Sequence, residues 1–182
     1  DLAQKTMQQL RLGHYADPWG RSSQGTIETV SGLWMEDIQR HFQQCYSPQG
    51  AILSVAGKID WQRLSDIAQQ LFGQWQSRPA AKSVESPAAR QYQHITVDSA
   101  QSHIGIAFDA VPYSHPDYFQ IRGAVGVLSD GMSSRLFTEV RENRGLCYSV
   151  YASSHSLRDR GSIFCYAGTS TERAVLGDRV LA

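Results

Sequence analysis

Cysteine is scarce: three residues in 182, at Cys45, Cys147 and Cys165, with no Cys-x-x-Cys spacing. An odd count without that spacing argues against a disulfide framework, and buried free thiols are the reading for Cys147 and Cys165 even if neighbouring strands bring them face to face. Net charge is absent too. Seventeen basic residues balance seventeen acidic ones, so the chain carries no field that would gather nucleic acid or an anionic membrane. Long apolar runs are also missing; the best, residues 51–56 and 124–128, are far too short to cross a bilayer. There is no glycine-rich phosphate loop, no nucleophile elbow and no Ser-His-Asp order. None of the six histidines has a histidine partner at helical spacing. His41 and Cys45 stand four apart on a predicted helix, but two donors do not make a metal site, and they read as helix-end residues.

What is present suits a folded chain. A hydrophobic content of 41% is enough for a core, in one domain or two small ones. Leu2, Met7 and Leu10 recur at helical spacing up to Gly13, and a loop follows through Pro18, Gly20 and Gly25 to a capping Thr26. Glu36 and Asp37 open a helix with Ile38 and Phe42 on one face, ended before Pro48. Residues 51–55 form a continuous apolar run between glycines and predict a strand buried on both faces. Asp60 caps the clearest helix, whose apolar set Leu64, Ile67, Ala68, Leu71 and Phe72 stops at Gly73. Residues 76–90, rich in Ser, Pro and Ala, read as a linker able to span on the order of 30–50 Å if extended. Beyond it, residues 91–97 and 103–108 alternate as two half-buried strands expected to pair antiparallel, which would make His94 and His103 a cross-strand contact. Ser114 and Pro116 open a further helix. Residues 147–153 and 162–167 form a hairpin around Arg158 to Gly161, and Ser170 or Thr171 caps a last helix. The class is α+β, helices on a mostly antiparallel sheet.

The most informative run is residues 129–148. Asp130-Gly131 makes a turn, Ser133 or Ser134 caps a helix with Leu136, Phe137 and Val140 on one face, and Gly145 closes it. Arg141 falls in the last turn and Tyr148 beyond the reversal, so guanidinium and phenol can share a cleft as a clamp for a peptide carbonyl or carboxylate. From the residues alone a second reading stands beside it: Arg141 pairs with Glu139, Glu142 or a helix-end carbonyl, and Tyr148 packs on the sheet.

Ser134-Arg135-Leu136-Phe137, followed by Arg141-Glu142-x-Arg144-Gly145-Leu146-x-Tyr148-Ser149-Val150, resembles the second-domain signature of the M16 (insulinase or pitrilysin-type) zinc metallopeptidases and their non-catalytic relatives. Asp17-Pro18-Trp19-Gly20-Arg21, Gly25-Thr26, Tyr46-Ser47-Pro48 and residues 51–57 resemble the later half of that family's first domain, in the same order. The resemblance implies that residues 1–76 are the later half of an M16-like first domain, 77–90 a linker, and 91–182 the earlier part of a second, non-zinc domain of a longer two-domain protein. It implies substrate-binding roles for Arg141 and Tyr148, which keep the family's spacing of seven. The family's His-x-x-Glu-His zinc motif does not occur here. No cofactor is therefore expected in this chain and no catalysis by it alone, with zinc expected upstream in an active parent. Expected partners are a peptide or unfolded polypeptide and a zinc-bearing M16 domain or subunit, with a homodimer open; nucleic acid and membrane insertion are not expected, and a cytoplasmic or an exported location fits equally. The alternative is a non-catalytic subunit or scaffold beside a catalytic M16 chain. If the two domains are homologous, their halves could dock, burying Leu64, Ile67, Leu71 and Phe72 against residues after Gln91 in the same or a partner chain.

Overall fold

The computed structural model describes residues 1–77, 86, 88, 90 and 92–174. It divides into two compact units: Asp1–Ser22 with Glu85–Ala182, and Ser23–Val84.

The first unit is built on an antiparallel three-stranded sheet in the order β1-β3-β2, with β1 at Gln101–Ala110, β2 at Ser149–Ser156 and β3 at Gly161–Ser170. The register sets Gln101 opposite Ser170 and Ala110 opposite Gly161 on one side of β3, and Ser149 opposite Gly168 on the other. Alternation then sorts the side chains. Ile106, Ile163, Cys165 and Ala152 share one face, where they pack with Val125 and Leu128 of helix α5 (Tyr118–Ser129) and with Leu136. A π-helix, Phe137–Asn143, continues from Leu136 and buries Val140. Gly105, Phe164, Tyr166, Gly168, Tyr151 and His155 point to the opposite face. There helix α1, Leu2–His14, lies close to the sheet, with Leu10 and Thr6 where a Cβ on Gly105 would sit.

The polar edge of that contact is hydrogen-bonded throughout. His14 Nε2 meets the buried Ser162 hydroxyl at 2.7 Å, Tyr15 Oη meets His155 Nδ1 at 2.9 Å, and Arg11 lies 3.4 Å from His155 Nε2. His14, Tyr15 and His155 also ring Phe164. Asp109, held by both terminal guanidinium nitrogens of Arg90, sits 3.6 Å from His14. Burial, and after it Arg90, lowers the His14 pKa below its usual value, with Asp109 opposing; burial and Arg11 do the same to His155.

The second unit contains α2 (Ile27–Ser31), α3 (Met35–Cys45) and α4 (Trp61–Phe72). Thr26 caps α2 through the Thr29 amide, Asp37 accepts from the Trp34 amide at the start of α3, and Asp60 caps α4 through Arg63. Leu53, Val55, Ile59, Trp61, Leu64 and Ala68 line an open apolar groove of about 340 Å³.

Several expectations need correction. Helix α1 runs through Gly13 to His14, because the His14 ring just beyond that glycine is anchored on Ser162 of the sheet. Residues 51–55 join no ladder and are exposed, since among the described residues no strand lies beside them. Residues 92–97 likewise join no ladder; β1 pairs with β3, sixty residues onward, rather than with its predecessor in sequence. His94 consequently makes no cross-strand pair with His103, whose partner across the ladder is Gly168. Helix α5 starts at Tyr118, behind a turn in which the Asp117 amide donates to His115 Nδ1. Within this chain the α4 stripe is partly buried at Leu64 and Ala68 and exposed toward its end, where Leu71 is 67% exposed and Phe72 48%. The linker falls largely outside the described residues, as does the last helix beyond Ala174.

Candidate functional site

Arg141 belongs to the π-helix, a rare conformation with one extra residue per turn that recurs at functional sites. Its guanidinium carbon lies 4.7 Å above the Phe137 ring, its Nε is 3.7 Å from Glu142, and the side chain is 45% exposed. Gly145 ends the helix at φ +59°, in the left-handed region that a side chain disfavours. Its amide donates to the Arg141 carbonyl, and the Leu146 amide to that of Val140.

The reversal is then fastened to the end of β3. Thr169 donates its hydroxyl proton to the Leu146 carbonyl, Arg173 donates to the Gly145 carbonyl, and the Tyr148 amide donates to the Gly168 carbonyl at 3.1 Å. An open cleft of about 390 Å³ lies here, lined by Gln101, Leu146, Cys147, Tyr148, Ser170 and Arg173. Tyr148 is 47% exposed at its rim. Cys147 sits between the two sequence-predicted residues; burial pushes its thiol pKa up and the nearby Arg141 charge partly opposes this.

Arg141 and Tyr148 therefore flank one reversal, but no hydrogen bond joins them. Arg141 has the Glu142 neighbour that the structural reading anticipates, at a distance and exposure that leave its guanidinium available to a further acceptor. Tyr148 stands over Gly168 instead of packing into the core.

Three residues of this site escape sequence reasoning. A Cβ built on Gly168 would lie 2.9 Å from the Tyr166 hydroxyl and 3.1 and 3.2 Å from two ring carbons of Tyr148. The Tyr166 hydroxyl is 2.7 Å from His103 Nδ1, and its ring stacks on Tyr151 with centroids 5.1 Å apart. Burial raises the Tyr166 pKa, reinforced by Tyr148 and Tyr151. The alternation of β3 is visible in sequence, but the register that joins residue 103 to 166 and 168 is not.

The fit to a metal is poor. Among the described residues no group of three or more His, Cys, Asp or Glu side chains could hold an ion. His41 and Cys45 approach to 3.5 Å as an exposed pair without a third donor, and His14 shares its Nε2 with Ser162. No step through a metal is assigned to these residues. No helix among the described residues is long and apolar enough to cross a membrane.

The first unit is α+β, with helices on a three-stranded antiparallel sheet and the Gly145 reversal at the sheet end. The chain belongs to the peptidase M16 family: the family model described as the peptidase M16 inactive domain matches residues 33–180. It is 30% identical over 151 residues to the uncharacterized zinc protease YmxG of Bacillus subtilis (strain 168), covering 82% of this chain and 36% of that protein. It is 32% identical over 165 residues to an uncharacterized zinc protease of Streptomyces coelicolor, covering 82% and 34%. The chain thus spans about a third of the length of these relatives. A crystal structure of a peptidase M16 inactive domain from Pseudomonas fluorescens shares the fold with a TM-score of 0.79 at 24% identity, over 93% of this chain and 42% of that one. The structure of a protease from Helicobacter pylori does so with a TM-score of 0.72 at 16% identity, over 96% and 46%.

Proposed function

We propose that this chain is the peptide-binding, non-zinc portion of a zinc-dependent peptidase-like protein that takes peptides or unfolded polypeptides, and that it is inactive by itself. Residues 1–76 belong on this reading to a first homologous domain and 91–182 to a second, with 77–90 between them; the metal and its ligands lie in a facing M16 domain or subunit. Arg141 donates to a backbone carbonyl of the substrate and Tyr148 donates its phenol proton to another, fixing an extended segment for attack elsewhere. The observation that carries the reading is the Gly145 reversal, which presents two half-exposed donors on either side of a turn tied to β3.

The test uses the full-length protein, treated with chelator so that no cleavage occurs, and a fluorescein-labelled unstructured peptide followed by anisotropy. Arg141→Ala and Tyr148→Phe are each expected to raise Kd about five- to tenfold, because each removes one polar contact, with little change in melting temperature. Unchanged affinity in both variants, or an Arg141→Ala protein that no longer folds, overturns the assignment. Restoring zinc then separates a peptidase, which cleaves the bound peptide, from a subunit that binds without cutting.

A further inference from the structure

The structure assigns to Gly168, backed by Tyr166 and His103, the role of a seat that sets the direction of the Tyr148 phenol; this rests on the peptide-contact reading of Tyr148. Gly168 has an ordinary strand conformation, since it is not among the glycines with positive φ, so backbone freedom is not what requires a glycine there. Space is. The position of its absent Cβ is closed in by the Tyr166 hydroxyl at 2.9 Å and by two ring carbons of Tyr148 at 3.1 and 3.2 Å.

The two rings differ in how far they can give way. Tyr166 is 3% exposed, its hydroxyl is held 2.7 Å from His103 Nδ1, and its ring is stacked on Tyr151. The other ring nitrogen of His103 is buried and has no hydrogen-bond partner, so turning away would forfeit the side-chain hydrogen bond that the imidazole makes to Tyr166. Tyr148 is half exposed and held at Gly168 by its backbone amide alone. An atom added at Gly168 therefore presses on the Tyr166 hydroxyl and on the Tyr148 ring, and the half-exposed Tyr148 ring is the freer of the two to turn away. Residues on β1 and β3 thus act on the peptide through Tyr148, and none of the three touches the substrate: they are positioning residues.

The experiment uses the full-length, chelator-treated protein and the same labelled peptide. Gly168→Ala is expected to raise Kd about fivefold, as Tyr148→Phe does, and to add nothing in the Gly168→Ala/Tyr148→Phe double variant, because the phenol it misdirects is already gone. Tyr166→Phe, which removes the hydroxyl beside Gly168 without adding volume, is expected to weaken binding in the same background-dependent way and supplies the test if Ala at 168 lowers the melting temperature. Selective ring labelling of tyrosine gives a readout independent of peptide: the Tyr148 resonances move further in Gly168→Ala than those of Tyr166. Binding that weakens in Tyr148→Phe but not in Gly168→Ala or Tyr166→Phe overturns the seat and leaves the peptide contact standing. Full additivity in the double variant, or Tyr148 resonances that do not move, also overturns it. Tyr148 resonances that shift in Gly168→Ala while neither variant alters Kd would keep the seat and remove the peptide contact.

Discussion

A hydrogen atom is the whole side chain at two positions of β3, and the consequences differ. At Gly168 the neighbours are the far ends of side chains. At Gly161 they are main chain: a Cβ would come 1.9 Å from the Val111 carbonyl oxygen. That oxygen cannot move without pulling β1 out of register at its last pair, Ala110 with Gly161. Gly161→Ala is therefore expected to destabilise the first unit by about 3 kcal/mol, the upper range for overpacking, as measured by urea unfolding. A loss below about 0.5 kcal/mol would mean that the strand end yields freely. Neither glycine announces its role in sequence: the pattern puts Gly161 in the turn and ends the strand at residue 167, before Gly168, while the Val111 that Gly161 meets lies 50 residues earlier and the Tyr148 that Gly168 meets lies across the hairpin. Arg141 and Tyr148 were legible because their motif is local: helix end, glycine, strand start.

The helix α1 and the sheet beneath it share a junction that titrates. His14 and His155 face each other's surroundings across Phe164, with Arg11 and Tyr15 from the α1 side and Asp109, Arg90 and Ser162 from the sheet side. Both histidines have folded pKa values below the ordinary 6.5. The sign follows from the unfolded chain, which binds their protons first as pH falls. The docked state is thus at full strength above 6.5 and loses stability below it, as protonation brings charge into buried positions beside Arg90 and Arg11. The carboxylate of Asp109, whose pKa Arg90 holds below its usual value, contributes its own loss only in a more acidic range. Melting temperatures from pH 7.5 to 5 should fall, and His14→Gln, which retains a hydrogen-bonding group for Ser162 without the charge, should flatten the dependence. A curve identical in both proteins would remove His14 from the account.

Elements that depend on their own residues were read well from sequence. Asp60 does cap α4, Gly145 does close the helix before β2, and the hairpin turns where Arg158 to Gly161 placed it. Elements that depend on a partner were not. The apolar runs at 51–55 and 92–97 have strand composition, yet a strand exists only as a pairing, and alternation names a face without naming a neighbour. The extra residue per turn around Arg141 is equally invisible to a periodicity of 3.6.

At the scale of the whole molecule the uneven distribution of apolar surface stands out. In the second unit Ile52 is 89% exposed, Ile27 82%, Trp61 76% and Leu71 67%. Soluble monomers seldom carry contiguous apolar patches beyond a few hundred Å², and larger ones mark surfaces that another protein segment covers. Residues 1–182 expressed alone should bind a hydrophobic dye and associate with rising concentration in light scattering. A dye-silent monomer across the micromolar range would show that these side chains find cover within the chain. The same measurement bears on the homodimer that the sequence left open, since a discrete dimer and open-ended association scatter differently.

The position of β3 in the middle of the sheet also arranges events in time. Among the described residues neither β1 nor β2 bonds to the other; each has its ladder with β3, which follows both in sequence. During synthesis at ~5–20 residues per second, the ~50–70 residues between β1 and its partners take several seconds to appear. Through that interval β1 lacks its β3 ladder, and the reversal around Tyr148 has no Gly168 to rest on. The hairpin of β2 and β3 closes a short loop and the pairing with β1 a long one, so the local closure costs less entropy and leads. A nascent chain thus waits on β3 for both ladders, and the support beneath the Tyr148 ring arrives together with that strand.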